Sequence, residues 1–130
     1  MRAALIAALV SIAAILPGCS TGASPAKVNA PIGQPLEMAP GQQVSLPDGA
    51  TLRYLEVAAD SRCPPGVQCI RAGDADVAFE FAGSAQVPRR FTINTQAPAT
   101  TSIGAWQLRL LELAFGDQPS VTVRIDAEQR

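Results

Sequence analysis

The sequence predicts an all-β fold: a single small antiparallel β-sandwich or partly open barrel, preceded by a signal peptide and a flexible tether. Three observations carry this. Several windows alternate apolar and polar residues with period two, as half-buried strands do. Turn signals recur between them, at Ala39-Pro40-Gly41, Pro47-Asp48-Gly49, Pro65-Gly66, Ala82-Gly83-Ser84 and Gly116-Asp117. No long stretch after the first twenty residues repeats with a convincing helical period, and short strands at turn-bounded spacing are the pattern of sandwiches and barrels.

In chain order, the first element is not part of the fold. Arg2 is followed by an apolar run of 14 residues, Ala3 to Leu16, in which Ser11 is the only polar member, and then by Pro17-Gly18-Cys19. A positive start, a short apolar core and small residues before a cut site describe a secretory signal over residues 1–18. The run is shorter than the roughly 20 apolar residues needed to span a bilayer. Residues 19–35 follow, rich in Pro, Ser, Gly and Ala and without apolar period, and are expected to be a disordered tether. The β domain is expected over residues 36–130.

Within that domain, "QQVSL" is a short strand and "ATLRYLEVAA" a longer one of unclear phase. "DADVAFEF" sets Val77, Phe79 and Phe81 on one face against Asp76, Ala78 and Glu80 on the other. "RFTIN" sets Phe91 and Ile93 against Arg90, Thr92 and Asn94. In "AWQLRLLELAF" Trp106, Leu108 and Leu110 share a side before the phase slips to Leu111, Leu113 and Phe115. A helix is possible over that run, but a strand with a bulge at Leu110-Leu111 fits better, because one extra residue inverts the alternation. "SVTVRID" closes the chain with Val121, Val123 and Ile125 inward. Trp106 and Tyr54 are expected in the core, given the apolar area such rings bury.

Leu16-Pro17-Gly18-Cys19 resembles the lipobox of bacterial lipoproteins: an aliphatic residue three before a cysteine, a small residue just before it, then the cysteine. The resemblance implies a diacylglyceryl group on Cys19, cleavage before it and acylation of the new amino terminus. Several acyl chains together hold a protein on a membrane where one does so only marginally. By the same resemblance, Ser20 favours the periplasmic face of the outer membrane over the inner membrane. The expectation is therefore an envelope protein, lipid-anchored.

If Cys19 carries lipid, Cys63 and Cys69 remain, an even count in an oxidising compartment. Pro65-Gly66 between them suits the centre of a type II turn that folds the chain back. A structural disulfide is the favoured reading; the ring it closes would stabilise by about 2.4 kcal/mol on the chain-entropy estimate. A redox pair calls for Cys-x-x-Cys at a helix start. A zinc clip calls for four ligands, and this chain has no histidine.

The surrounding "DSRCPPGVQCIRAGDADV" also resembles a motif of small, uncharacterised bacterial secreted proteins and lipoproteins. Asp60, Ser61, Arg62, Cys63, Pro64, Cys69, Ile70, Ala72 and Gly73 match it, and Arg71 stands where an aromatic is common. This implies a small β domain with a disulfide-closed loop and brings no activity with it.

Function follows mostly by exclusion. Removing residues 1–18 leaves 9 basic and 11 acidic side chains, with Arg89-Arg90 the only adjacent basic pair, which gives no nucleic-acid patch. Without histidine there is no general base of the usual kind near neutral pH and no Ser-His-Asp or Cys-His arrangement. Ser102 and Ser120 lie beside turns without a basic partner. Asp60, Arg62, Asp74 and Asp76 bracket the cysteine loop and form a possible ligand site; calcium, which takes carboxylate oxygens, is one occupant, although the spacing is not that of a calcium loop. A carboxylate pair of glycosidase type, Asp74 with Glu80 or Glu112, has nothing in the sequence to bring it together. The leading expectation is a non-enzymatic binding or structural domain without cofactor, whose partners are the membrane and an unknown envelope protein or small ligand. A small-ligand or Ca²⁺-binding module at the Cys63–Cys69 loop is the alternative, and a hydrolase or inhibitor a distant third.

Overall fold

The computed structural model describes Gly18, residues 27–96 and residues 98–129. The expected signal segment up to Pro17 and the expected lipidation site, Cys19, lie outside the described residues.

Among the described residues, nine strands form two facing sheets: β1 Val28–Asn29, β2 Pro35–Met38, β3 Gln43–Ser45, β4 Thr51–Asp60, β5 Ala75–Ala82, β6 Arg89–Asn94, β7 Thr100–Ile103, β8 Trp106–Leu113 and β9 Val121–Ala127. One sheet has the order β1-β3-β4-β5-β6 and the other β2-β9-β8-β7. No helix occurs among the described residues. Strand neighbours are antiparallel except β1 and β3, which run parallel. This is the expected sandwich.

The inward positions of the alternating windows make the core. Leu52, Tyr54, Val77 and Phe79 from the larger sheet and Met38, Leu108, Val121, Val123 and Ile125 from the smaller are all fully buried. Tyr54 and Phe79 have ring centroids 5.7 Å apart, and Phe79 and Phe91 5.8 Å, the spacing at which aromatic pairs add to simple burial. The Tyr54 hydroxyl reaches across to donate to the Pro119 carbonyl at 2.8 Å. Trp106 is half-buried at the rim, its indole N–H donating to Asp48 Oδ2 at 2.9 Å.

Several expectations change in detail. The domain begins before Leu36, inside the stretch assigned to the tether. Val28–Asn29 pairs with β3, Ala30 donates to the Ser45 carbonyl and is itself buried, and Pro35 already belongs to β2. A two-residue edge strand is too short to show a period, which is why this part reads as linker. In β8 the register slips between Leu110 and Glu112, as expected, but Leu111 is the extra residue and points to solvent, while Leu113 returns to the core. Phe115, grouped with the inward set by its phase, is exposed beyond the strand's end. β7, with only Ile103 fully buried, has no counterpart among the expected strands. The blurred phase of β4 also has a cause: its register against β5 slips twice, between Tyr54 and Glu56 and between Val57 and Ala59.

Candidate functional site

β4 and β5 continue past their last ladder pairs into the loop that carries the cysteines. Ser61 N–H donates to the Asp74 carbonyl at 2.8 Å and Cys63 N–H to the Ala72 carbonyl at 2.9 Å, which prolongs the hairpin. Val67 N–H then bonds the Pro64 carbonyl, with Gly66 at φ 78°. Pro65 and Gly66 thus occupy the centre of a turn whose third residue needs positive φ, the type II arrangement. Cys63 and Cys69 form a disulfide across it, with Cα atoms 5.9 Å apart. At the loop's base, Gly73 has φ 68°, and a side chain there would run into the backbone carbonyl of Ser61. Only glycine satisfies both conditions.

Arg62 is the centre of the polar contacts. Its Nε and Nη2 engage both oxygens of Asp60 at 2.9 and 2.7 Å, while its own backbone N–H bonds Asp60 Oδ1 at 3.0 Å. Nη1 donates to the Leu113 carbonyl at 2.6 Å and Nη2 to the Ala114 carbonyl at 2.9 Å. The guanidinium carbon lies 4.0 Å from the centre of the Phe115 ring. One side chain therefore ties the loop of the larger sheet to the end of β8 in the smaller one. Its side chain is 13% exposed against 35% for Asp60. The Arg62 hydrogen bonds hold the Asp60 carboxyl below its ordinary range, more strongly than partial burial raises it. Burial pushes the Tyr54 phenol up, with the Arg62 charge opposing in part.

Asp74 and Asp76 belong to a separate group. Asn94, opposite Asp76 in the ladder, donates to Asp74 Oδ2 at 2.7 Å and to Asp76 Oδ1 at 2.9 Å. Ser61 Oγ donates to Asp74 Oδ1 at 3.1 Å. Of the four residues of the possible ligand site, the structure joins Asp60 to Arg62 and Asp74 to Asp76. Each carboxylate is bonded to a protein donor, and no three potential metal-ligating side chains gather among the described residues. The suggested acid pairs are also separated by their partners: Glu80 lies against Arg90 at 3.3 Å, and Glu112 sits on the other sheet opposite Thr122. Ser102 donates to Glu128 at 3.0 Å.

Beside this clasp runs an open groove of about 610 Å³, between the Pro40-Gly41 turn, the bulged part of β4 (Leu55 to Val57), Asp60 and the Gly116–Pro119 loop. Glu56, Asp60 and Asp117 give it an acidic wall. A smaller hollow of about 230 Å³ opens between β6 and β7, where Phe81, Phe91, Arg89 and Arg90 meet Ser102. Asn94, Phe115 and the groove residues carry no functional signal in the sequence, because each gains its role from a neighbour distant in the chain.

No family model matches this chain, and neither the curated proteins nor the solved structures yield a match.

Proposed function

We propose that the chain is an envelope lipoprotein, anchored through lipid on Cys19, whose β-sandwich is a non-enzymatic binding or structural module. The observation that carries the reading is the pairing of the cysteines. Cys63 and Cys69 are disulfide-bonded, a state that persists in exported proteins and is rare in the reducing cytosol. That agrees with a secretory signal ending just before Cys19, the one cysteine outside the pair. The charged residues flanking the loop support a structural role for it: Asp60 and Arg62 hold the two sheets together, and Asp74 and Asp76 are held by Asn94. The outer membrane's periplasmic face is the proposed location, following Ser20.

A second reading, a small-ligand module, draws on the open groove next to Asp60. A mixed lining with one acidic wall suits a small ligand carrying a positive charge. Calcium finds less support, because the carboxylates flanking the loop are already bonded within the protein.

Membrane fractionation tests the leading reading. The wild-type protein is expected in the membrane fraction and the Cys19→Ser variant in the soluble fraction of the envelope or uncleaved. Equal distribution of the two, with both cleaved, would reject the anchor. Thermal stability with millimolar calcium, or with small cationic ligands, tests the second; no shift removes it.

A further inference from the structure

Three features converge on one end of the sandwich. β1 runs parallel to β3 and β3 antiparallel to β4, with Val28, Val44 and Leu52 abreast. Followed backwards from Val28, the chain therefore points along β4 towards its C-terminal end, where the disulfide loop projects. The tip of that loop is apolar and bare. Ile70 is 103% and Val67 55% exposed, and Pro64 and Pro65 are exposed beside them. The disulfide and the type II turn fix this surface in place, so covering it costs little conformational entropy.

The third feature is length. The eight steps from Lys27 back to Cys19 reach at most about 26 Å when extended. From Arg53, one step past the Val28 level, β4 runs seven residues to Asp60, and the loop prolongs it through the Ser61 and Cys63 bonds. At about 3.3 Å per residue, less for two bulges, the tip stands about 25–30 Å from that level. The tether and the projection match.

We propose that the Pro64–Ile70 tip is a second membrane contact, which enters the boundary between headgroups and acyl chains of the bilayer that holds Cys19. The proposal rests on the lipid-anchor reading. A tether of this length keeps the bilayer within reach of the tip, so the second contact forms at high effective concentration. Val67 and Ile70 lose their exposed apolar surface to the acyl boundary, and Arg71 sits where lipid phosphates accept hydrogen bonds. Two contacts fix the orientation of the body and turn the opposite end, with the Pro47–Gly49 hairpin and Trp106, towards the aqueous side.

Trp106 is the only tryptophan and bonds Asp48 at that far end, which makes it an internal control. The acylated mature protein is reconstituted in phosphatidylethanolamine–phosphatidylglycerol vesicles with and without brominated acyl chains, as wild type and as I70W. Ile70 is fully exposed, so the replacement disturbs no packing. The wild-type emission is expected to be unchanged by bromine. The emission added by I70W is expected to shift to the blue on vesicle binding and to be lost with brominated lipid. Four results overturn the proposal. If both proteins float with the vesicles but the added emission stays water-like and unquenched, the tip is not in the bilayer while the anchor stands. A blue shift without bromine quenching assigns the tip to a protein contact instead. Quenching of Trp106 in the wild type reverses the orientation. Failure to float removes the anchor, and with it the geometry on which the tip's contact depends.

Discussion

Replacing Arg62 by alanine removes a set of contacts that joins the two sheets. Lost are the two-pronged pairing with Asp60, the bonds to the Leu113 and Ala114 carbonyls, and the cover over Phe115. The Asp60 pairing is partly exposed, so solvent screening leaves it worth well under its buried value. The two carbonyl bonds are made by a largely buried cation, and hydrogen bonds to charged groups contribute about 1.5–3 kcal/mol each before water replaces them in part. A net loss of about 3 kcal/mol results, equivalent to a fall of about 12–24 °C in Tm for a domain of this size. Lysine at this place restores the charge without the planar fork and is expected to recover less than half of the loss. Thermal unfolding followed by circular dichroism, on R62A, R62K and wild type in the same detergent, measures this. A Tm for R62A within about 2 °C of wild type, less than 1 kcal/mol on the same conversion, would refute the idea that Arg62 joins the sheets.

Replacing both Cys63 and Cys69 by serine is expected to cost about 2.4 kcal/mol if the unfolded chain behaves as a simple loop, read as a lower urea midpoint with little change in slope. Gly73→Ala meets both the positive φ and the Ser61 carbonyl, and should cost at least about 2 kcal/mol or prevent folding; Gly66→Ala, with open space around it, should cost less. Asn94→Ala leaves Asp74 and Asp76 without their shared donor and should cost about 1–2 kcal/mol, read as a lower urea midpoint. Acid titration of stability carries a sign of its own. The Asp60 carboxyl is lowered in the folded state, so its contribution is complete above the ordinary carboxylate pKa and is lost as pH falls from about 4 through the folded value. R62A should flatten that part of the curve. Tyr54 acts in the opposite direction: its phenol is raised, so stability falls as pH rises past 10.0, where the unfolded chain begins to release that proton first.

The all-β class and the core were legible because Val77, Phe79, Val121, Val123 and Ile125 repeat with the period of a pleated strand, and each is buried where that period places it. The type II turn at Pro65-Gly66 and the cysteine pair were legible for a related reason, since both are local in sequence. Leu111 was misplaced because a bulge can eject either of two adjacent leucines, and only the register with Val123 and Thr122 decides which. The start of the domain was hidden because Val28 and Asn29 depend on β3 rather than on any pattern of their own. Arg62 could be singled out as part of a motif, yet its partners at Leu113 and Ala114 lie some fifty residues away. The groove beside Asp60 was invisible for the same reason: Gly41, Leu55 and Pro119 meet only once both sheets have closed.

The fate of the three sulfur atoms bears on the account most directly. Intact mass spectrometry of the protein extracted from its native membrane, without reductant, is expected to show a chain that starts at Cys19, carries the mass of a diacylglyceryl group with or without a further acyl chain, and lacks two hydrogens at Cys63 and Cys69. A water-soluble chain with an unmodified Cys19, or one with free thiols at 63 and 69, would contradict it.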